Sequence, residues 1–191
     1  YCKPINDFEY IKHENLLTYE DLLFASEVFA ELGVNRIRVT GGEPLVRKDL
    51  TLFLKKLTKI NGINEVMVTT NGALLNQYAK ELFDSGVKRL NISLDSLRKD
   101  RMKYITCVDK FDDVISGIGK AVKVGFNPVK VNVVVIKGFN DDELVDFCNF
   151  AKEEKVIVRF IEFMPIGNSD KWNKDSIITG KEILELLSNF E

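Results

Sequence analysis

The chain is poor in the residues that build disulfide frameworks or histidine-metal sites: 191 residues contain three cysteines, Cys2, Cys107 and Cys148, and one histidine, His13. An odd number of cysteines at wide spacing argues against a disulfide scaffold and fits a reducing compartment. His13 lies in a polar stretch and is read as a solvated surface residue. No apolar run approaches the roughly 20 residues needed to span a bilayer, and the opening Tyr1-Cys2-Lys3-Pro4 has none of the regions of a secretory signal, so no membrane partner is expected. Charge of one sign is also missing. With 27 Lys and Arg against 29 Asp and Glu, interspersed to a net −2, there is no broad basic surface for nucleic acid, and any anion site must be local.

Nor is there a Gly/Ser/Pro-rich linker or a low-complexity tract. A 45% hydrophobic and 29% charged composition suits one globular core, so residues 1–191 read as a single domain. The chain does not open on Met, and a piece of a longer product is expected.

What is present is alternation. Short β-rich runs at Arg36 to Thr40, Glu65 to Thr69, Lys88 to Leu94, Val129 to Ile136 and Val156 to Phe163 are each preceded by a helical pattern. The helical stretches are Tyr19 to Leu32, Leu50 to Leu57, Leu74 to Phe83, Phe111 to Val124, Asp142 to Lys152 and Thr179 to Leu187. The first starts after Thr18, a good N-cap, stops at Gly33, and places Leu22, Leu23, Ser26, Phe29 and Ala30 on one face. Strands joined by helix-length crossovers run parallel, so the fold class is α/β.

An open sheet and a barrel both satisfy that rule, and strand parity separates them. In Arg36-Ile37-Arg38-Val39-Thr40 and Arg89-Leu90-Asn91-Ile92-Ser93-Leu94 one face is apolar and the other polar. A parallel sheet buried on both faces would read as nearly continuous Val, Ile and Leu. A polar face therefore points to a partial TIM-type barrel with a polar lumen; the bland alternative is an edge strand with solvated charges.

Ligands in α/β folds gather at the carboxyl ends of strands. At the end of the first run stands Thr40-Gly41-Gly42-Glu43-Pro44. Paired glycines let a backbone approach a ligand closely, and Glu43 offers an acceptor for a cationic group such as an α-ammonium. This segment resembles the S-adenosylmethionine (SAM)-binding motif of radical SAM enzymes. Tyr1-Cys2 resembles the end of the Cys-x3-Cys-x2-Cys loop that ligates their 4Fe-4S cluster.

Further stretches resemble the GTP 3′,8-cyclase (MoaA) family of molybdenum-cofactor biosynthesis. They are Thr69-Thr70-Asn71-Gly72, Asn91-Ile92-Ser93-Leu94-Asp95-Ser96-Leu97, Pro128-Val129-Lys130-Val131-Asn132, Lys137-Gly138-Phe139-Asn140, and Arg159-Phe160-Ile161-Glu162-Phe163-Met164-Pro165 with Trp172 following. The resemblance implies a radical SAM core barrel whose first strand, two cluster cysteines and C-terminal cluster segment fall outside these 191 residues. Alone, such a piece is expected to be inactive.

It also implies SAM contacts at Tyr1, Gly41, Gly42, Glu43, Ser93 and Met164, GTP contacts at Arg38, Thr69 and Lys130, and Cys2 as a cluster ligand. The implied chemistry is hydrogen abstraction from ribose C3′ of GTP by a 5′-deoxyadenosyl radical, followed by attack on guanine C8. No side chain acts as general acid or base. An external electron donor, a homodimer, a cyclic pyranopterin monophosphate synthase as pathway neighbour, and a cytoplasmic or, in eukaryotes, mitochondrial matrix location belong to the same expectation. From the residues alone, Arg38 and Lys130 on polar strand faces call for an anion, since an unpaired buried charge is expensive. A structural salt bridge would also satisfy them. A radical SAM enzyme acting on a peptide, and a binding module that has lost catalysis, are the competing functions. Cys107 and Cys148 match no cluster spacing. Cys148, beside Phe147 and Phe150, reads as packing, and Trp172 carries no assigned chemistry.

Overall fold

A computed structural model describes residues 15–164 and 174–188. Seven helices and five strands appear among them: α1 (Tyr19–Glu31), β1 (Arg36–Val39), α2 (Leu50–Leu57), β2 (Glu65–Thr70), α3 (Leu75–Asp84), β3 (Arg89–Ser93), α4 (Lys99–Thr106), α5 (Phe111–Val124), β4 (Val129–Val135), α6 (Leu144–Glu154), β5 (Ile157–Glu162) and α7 (Gly180–Leu187). The strands form one sheet in the order β1-β2-β3-β4-β5, every neighbouring pair parallel. A doubly wound sheet reverses its order at a switch point, whereas strict sequence order is the signature of an arc closing toward a barrel. The expected partial barrel of parallel β/α units is what the chain forms.

Parity decides which face meets the helices. Val66, Val68, Leu90, Ile92, Val129, Val131, Val133 and Val135 are all buried and belong to one core with Leu54 and Leu57 of α2, Leu75, Ala79 and Leu82 of α3, and Ile118 and Ala121 of α5. Their strand neighbours, one residue on, supply the opposite face. Because β2 and β4 carry this alternation as well as β1, solvated charges at one edge do not explain it.

The helix ends follow their local chemistry. Thr18 caps α1 in a reciprocal capping box: Asp21 N donates to Thr18 Oγ1 at 3.1 Å and Thr18 N donates to Asp21 Oδ2 at 2.8 Å. Thr179 and Glu182 repeat the device at α7.

The expectations differ from the structure in three places. Helix α4 was not anticipated, because Lys99 to Thr106 is mostly charged and buries only Met102. Residues Asp141–Glu143 form a 3-10 turn, and α6 begins at Leu144 rather than Asp142. Phe29, placed on the buried face of α1, is exposed, and Ser26 is the one buried residue of that helix. Among the described residues α1 packs against α2, and Phe24, Phe29 and Leu32 are exposed.

Candidate functional site

The loop after β1 is fastened on two sides. Tyr19 Oη donates to Lys48 O at 3.1 Å, and Arg47 lays its guanidinium over the Tyr19 ring while donating to Leu17 O at 2.6 Å. Together these dock the segment after Gly41-Gly42-Glu43 onto the start of α1. On the other side the Glu43 carboxylate accepts from Leu45 N at 3.0 Å, Thr70 Oγ1 at 2.7 Å and Asn71 N at 2.6 Å. An ionised carboxylate has about four acceptor sites, so the protein itself fills most of them. The structure thus gives the Glu43 side chain a holding task and leaves the neighbouring glycines as the accessible part of the motif. Both are exposed, and a Cβ on Gly41 or Gly42 would meet no atom of the described residues within 4 Å. Among the described residues nothing blocks close approach to that backbone.

The turn after β2 takes its shape from Thr70 and Gly72. Gly72 N donates to Thr70 Oγ1 at 3.1 Å, the same hydroxyl that bonds Glu43. Gly72 has φ +81°, and an added Cβ would lie 2.8 Å from Ile92 Cγ2, so glycine is required there on both counts.

Register brings the polar strand residues into rows. Thr69 stands opposite Asn91, and Asn91 opposite Lys130. Ser93, the last residue of β3, stands opposite Asn132, which stands opposite Arg159. Arg38 pairs with Met67 on the same face. Asn91 Nδ2 donates to Thr69 Oγ1 at 3.4 Å, while Arg159 donates to Asn132 Oδ1 from Nε at 3.0 Å and from Nη2 at 2.7 Å.

The cations on this face divide into two groups. Arg36 and Arg89 share Glu65, at 3.6 and 2.6 Å. Arg38, Lys130 and Arg159 have no carboxylate partner among the described residues. Lys130 and Arg159 are half-buried, and charge removed from water without a counter-ion is costly.

Behind the carboxyl rim lies a buried polar lock. The fully buried Glu143 carboxylate accepts from Ser96 Oγ at 2.9 Å, Leu97 N at 2.7 Å and Arg101 Nη1 at 2.8 Å. Asn140 Nδ2 donates to Asp95 O at 2.6 Å and Val134 O at 2.9 Å, and its oxygen accepts from Ile136 N at 2.7 Å. These bonds join the loops that follow β3 and β4, so Ser93 sits on a fixed rim. Arg101 holds Asp142 below the ordinary carboxylate range by hydrogen bonding first, against a smaller opposing effect of burial.

Of the residues expected at the site, Gly41, Gly42, Glu43, Ser93, Arg38, Thr69 and Lys130 lie on this face or its rim, and Met164 follows β5, exposed. Tyr1, Cys2, His13 and Trp172 lie outside the described residues. Among the described residues no group of His, Cys, Asp and Glu could hold a metal ion. Cys107 is exposed; Cys148 is half-buried, and burial raises its thiol pKa. Asn91 and Asn132 stand on polar strand faces in the sequence, but neither they nor Arg159 are among the residues expected at the site. Arg159 is flanked by Val158 and Phe160, and the two-residue period that reveals it needs β5 to be placed in register with β4 first.

The family model of the radical SAM superfamily matches residues 1–151. The chain is 45% identical over 190 residues to a GTP 3′,8-cyclase of Thermodesulfovibrio yellowstonii, covering 99% of this chain and 59% of that protein. It is 44% identical over 183 residues to a GTP 3′,8-cyclase of Alkaliphilus metalliredigens, covering 96% of this chain and 57% of the relative. The chain thus spans less than two thirds of the length of the curated relatives it matches. Among solved structures, native anSMEcpe with bound AdoMet superposes with TM-score 0.73 at 18% identity, over 94% of this chain and 53% of that one. A domain of pyruvate-formate lyase-activating enzyme from Bacteroides vulgatus does so with TM-score 0.62 at 18% identity, over 80% and 92%. At such identities the likeness speaks for the fold alone. A parallel arc in strict strand order, a Gly-Gly-Glu loop at the end of its first described strand, and a family match over most of the chain agree: the chain belongs to the radical SAM superfamily.

Proposed function

We propose that the protein carrying this chain is a GTP 3′,8-cyclase of molybdenum-cofactor biosynthesis, with SAM and a 4Fe-4S cluster as cofactors. The observation that carries this reading is the set of cations without carboxylate partners, Arg38, Lys130 and Arg159, on the polar face beside the Gly41-Gly42 loop. A triphosphate supplies the missing negative charge, with the planar guanidinium forks and the Lys130 point charge engaging different oxygens. Thr69, in one row with Asn91 and Lys130, offers a hydroxyl to the ribose or phosphates.

The open backbone of Gly41 and Gly42 fits the methionine end of SAM, Glu43 keeps that loop in shape, and Ser93 and Met164 line the same end of the sheet. Tyr1 completes the SAM contacts and Cys2 contributes one thiolate to the cluster; further thiolates must come from elsewhere in the protein. When bound, the reduced cluster and SAM supply the 5′-deoxyadenosyl radical for hydrogen abstraction from the ribose. The chain's own residues bind and orient the nucleotide and exclude water, which is where the protein acts in cofactor chemistry.

In the same proposal, residues 1–191 are part of the core barrel, and a preceding strand with two cysteines and a C-terminal cluster segment complete it. An external electron donor, homodimer formation, a cytoplasmic location and a neighbouring cyclic pyranopterin monophosphate synthase go with it. No helix among the described residues is long and apolar enough to cross a membrane. The decisive experiment is anaerobic cluster reconstitution of the full-length protein with SAM, reductant and GTP. The cyclised nucleotide is expected, and SAM cleavage that responds only to a peptide or another substrate would overturn the reading.

A further inference from the structure

Arg159 is held by amides rather than by a carboxylate. Its Nε and Nη2 both donate to the single oxygen of Asn132, at 3.0 and 2.7 Å, and Nη2 also lies 3.4 Å from Asn91 Oδ1. Asn132 is its register partner on β4 and Asn91 belongs to β3, so the clamp reaches across three strands. Asn91 is itself buried and tied to Thr69 Oγ1. Nη1 of Arg159 donates to no group among the described residues.

Arg89 in the same sheet provides the contrast. Its guanidinium meets the Glu65 carboxylate at 2.6 Å, and its charge is spent there. An amide oxygen and a carboxylate oxygen can both fix the plane of a guanidinium, but only the carboxylate cancels its charge. Two neutral acceptors on one half-buried cation therefore orient it and keep its field intact for something else.

We propose that Asn132, assisted by Asn91, is a positioning residue for an anionic ligand: it sets the plane of the Arg159 guanidinium on the polar face without neutralising it, leaving an oriented cation for the phosphate groups of the nucleotide. The proposal rests on the polar face being the nucleotide site. It makes the identity of residue 132 a matter of charge as well as shape. Asn132→Asp preserves size and acceptor geometry and turns the clamp into an ion pair, so folding should hold or improve while anion binding falls. A residue that merely glues β4 to β5 would show the opposite coupling, stability and binding moving together.

The test compares full-length wild-type protein and N132D by equilibrium binding of GTP, guanosine and inorganic tripolyphosphate, alongside thermal unfolding. Loss of one charge-assisted contact predicts a GTP dissociation constant raised roughly tenfold or more. Guanosine binding and the unfolding temperature should not fall. Equal GTP affinity in N132D and wild type overturns the proposal, as does a loss of guanosine and GTP binding together with stability. If N132D does not fold, the same comparison on Asn91→Asp, which alters the other acceptor, decides. Wild-type protein that binds tripolyphosphate more tightly than the variant but never GTP sinks the substrate reading and leaves the clamp standing; wild-type protein that binds neither sinks both.

Discussion

The Glu43 carboxylate lies 2.6 Å from the backbone nitrogen of Asn71, so the loop that follows the first described strand is bonded directly to the turn that follows the second. The same carboxylate takes the Thr70 hydroxyl and Leu45 N, all donors. Replacing it by Glu43→Gln sets an amide NH2 against at least one of them. A cost of about 1–3 kcal/mol in stability is expected, as for a polar group left facing like polarity. Thermal unfolding reads that loss, and SAM binding by equilibrium dialysis should weaken in parallel because the glycine loop is no longer fixed.

Gly72→Ala tests the turn from its other side. The φ of +81° costs a non-glycine residue about 1–2 kcal/mol. The contact at 2.8 Å to Ile92 Cγ2 and that at 3.1 Å to Val114 Cγ1 add the overpacking cost of about 1–3 kcal/mol. Denaturant unfolding should show a large drop in midpoint, whereas Gly42→Ala, with open space around its Cβ among the described residues, should leave stability nearly unchanged and act on SAM binding instead.

The Arg101 and Asp142 pair makes a pH prediction with a definite sign. Asp142 is depressed in the folded protein, so its contribution is present above the titration of an unfolded aspartate and is lost as pH falls through the folded value. Because both side chains are partly exposed, at 25% and 48%, the contribution is under about 1 kcal/mol. Asp142→Asn should therefore be less stable than wild type near neutrality, and the two unfolding temperatures should converge below about pH 4. Failure to converge would assign the difference to something other than this carboxylate.

Lys130→Met probes the anion reading without touching the clamp on Arg159. The stem is kept and the charge removed, so folding should hold. Binding of GTP by the full-length protein should weaken by roughly tenfold or more, as expected for one charged contact, and calorimetry at two salt concentrations should show a shallower salt dependence. Guanosine binding should be indifferent to the change.

β1 and β3 were legible because each carries its own two-residue period. The Gly-Gly-Glu loop was legible because glycine pairs after a strand have few other uses. Arg159 and its amides were not, since their meaning lies in register: Asn91, Asn132 and Arg159 are far apart in sequence and meet only when β3, β4 and β5 are set side by side. Glu43 was legible as a special residue but not in its task, because its partners Thr70 and Asn71 come from the next β/α unit. Helix α4 carries too little apolar periodicity to announce itself, and it is held in place through Arg101 bonds to Asp142 and Glu143 that no local pattern encodes.

Strict strand order has a consequence for how the protein is made. Each strand from β2 to β5 pairs with the one synthesised just before it, across one crossover of a few tens of residues. A chain emerging from the ribosome can thus lay down one β/α unit at a time against a partner already in place, and no strand must wait for a distant mate. The polar face grows by the same steps. Arg38 and Thr69 are in position early, but Arg159 finds its amides only when the last of these strands docks, so the polar face is completed at the end of the arc rather than at its start.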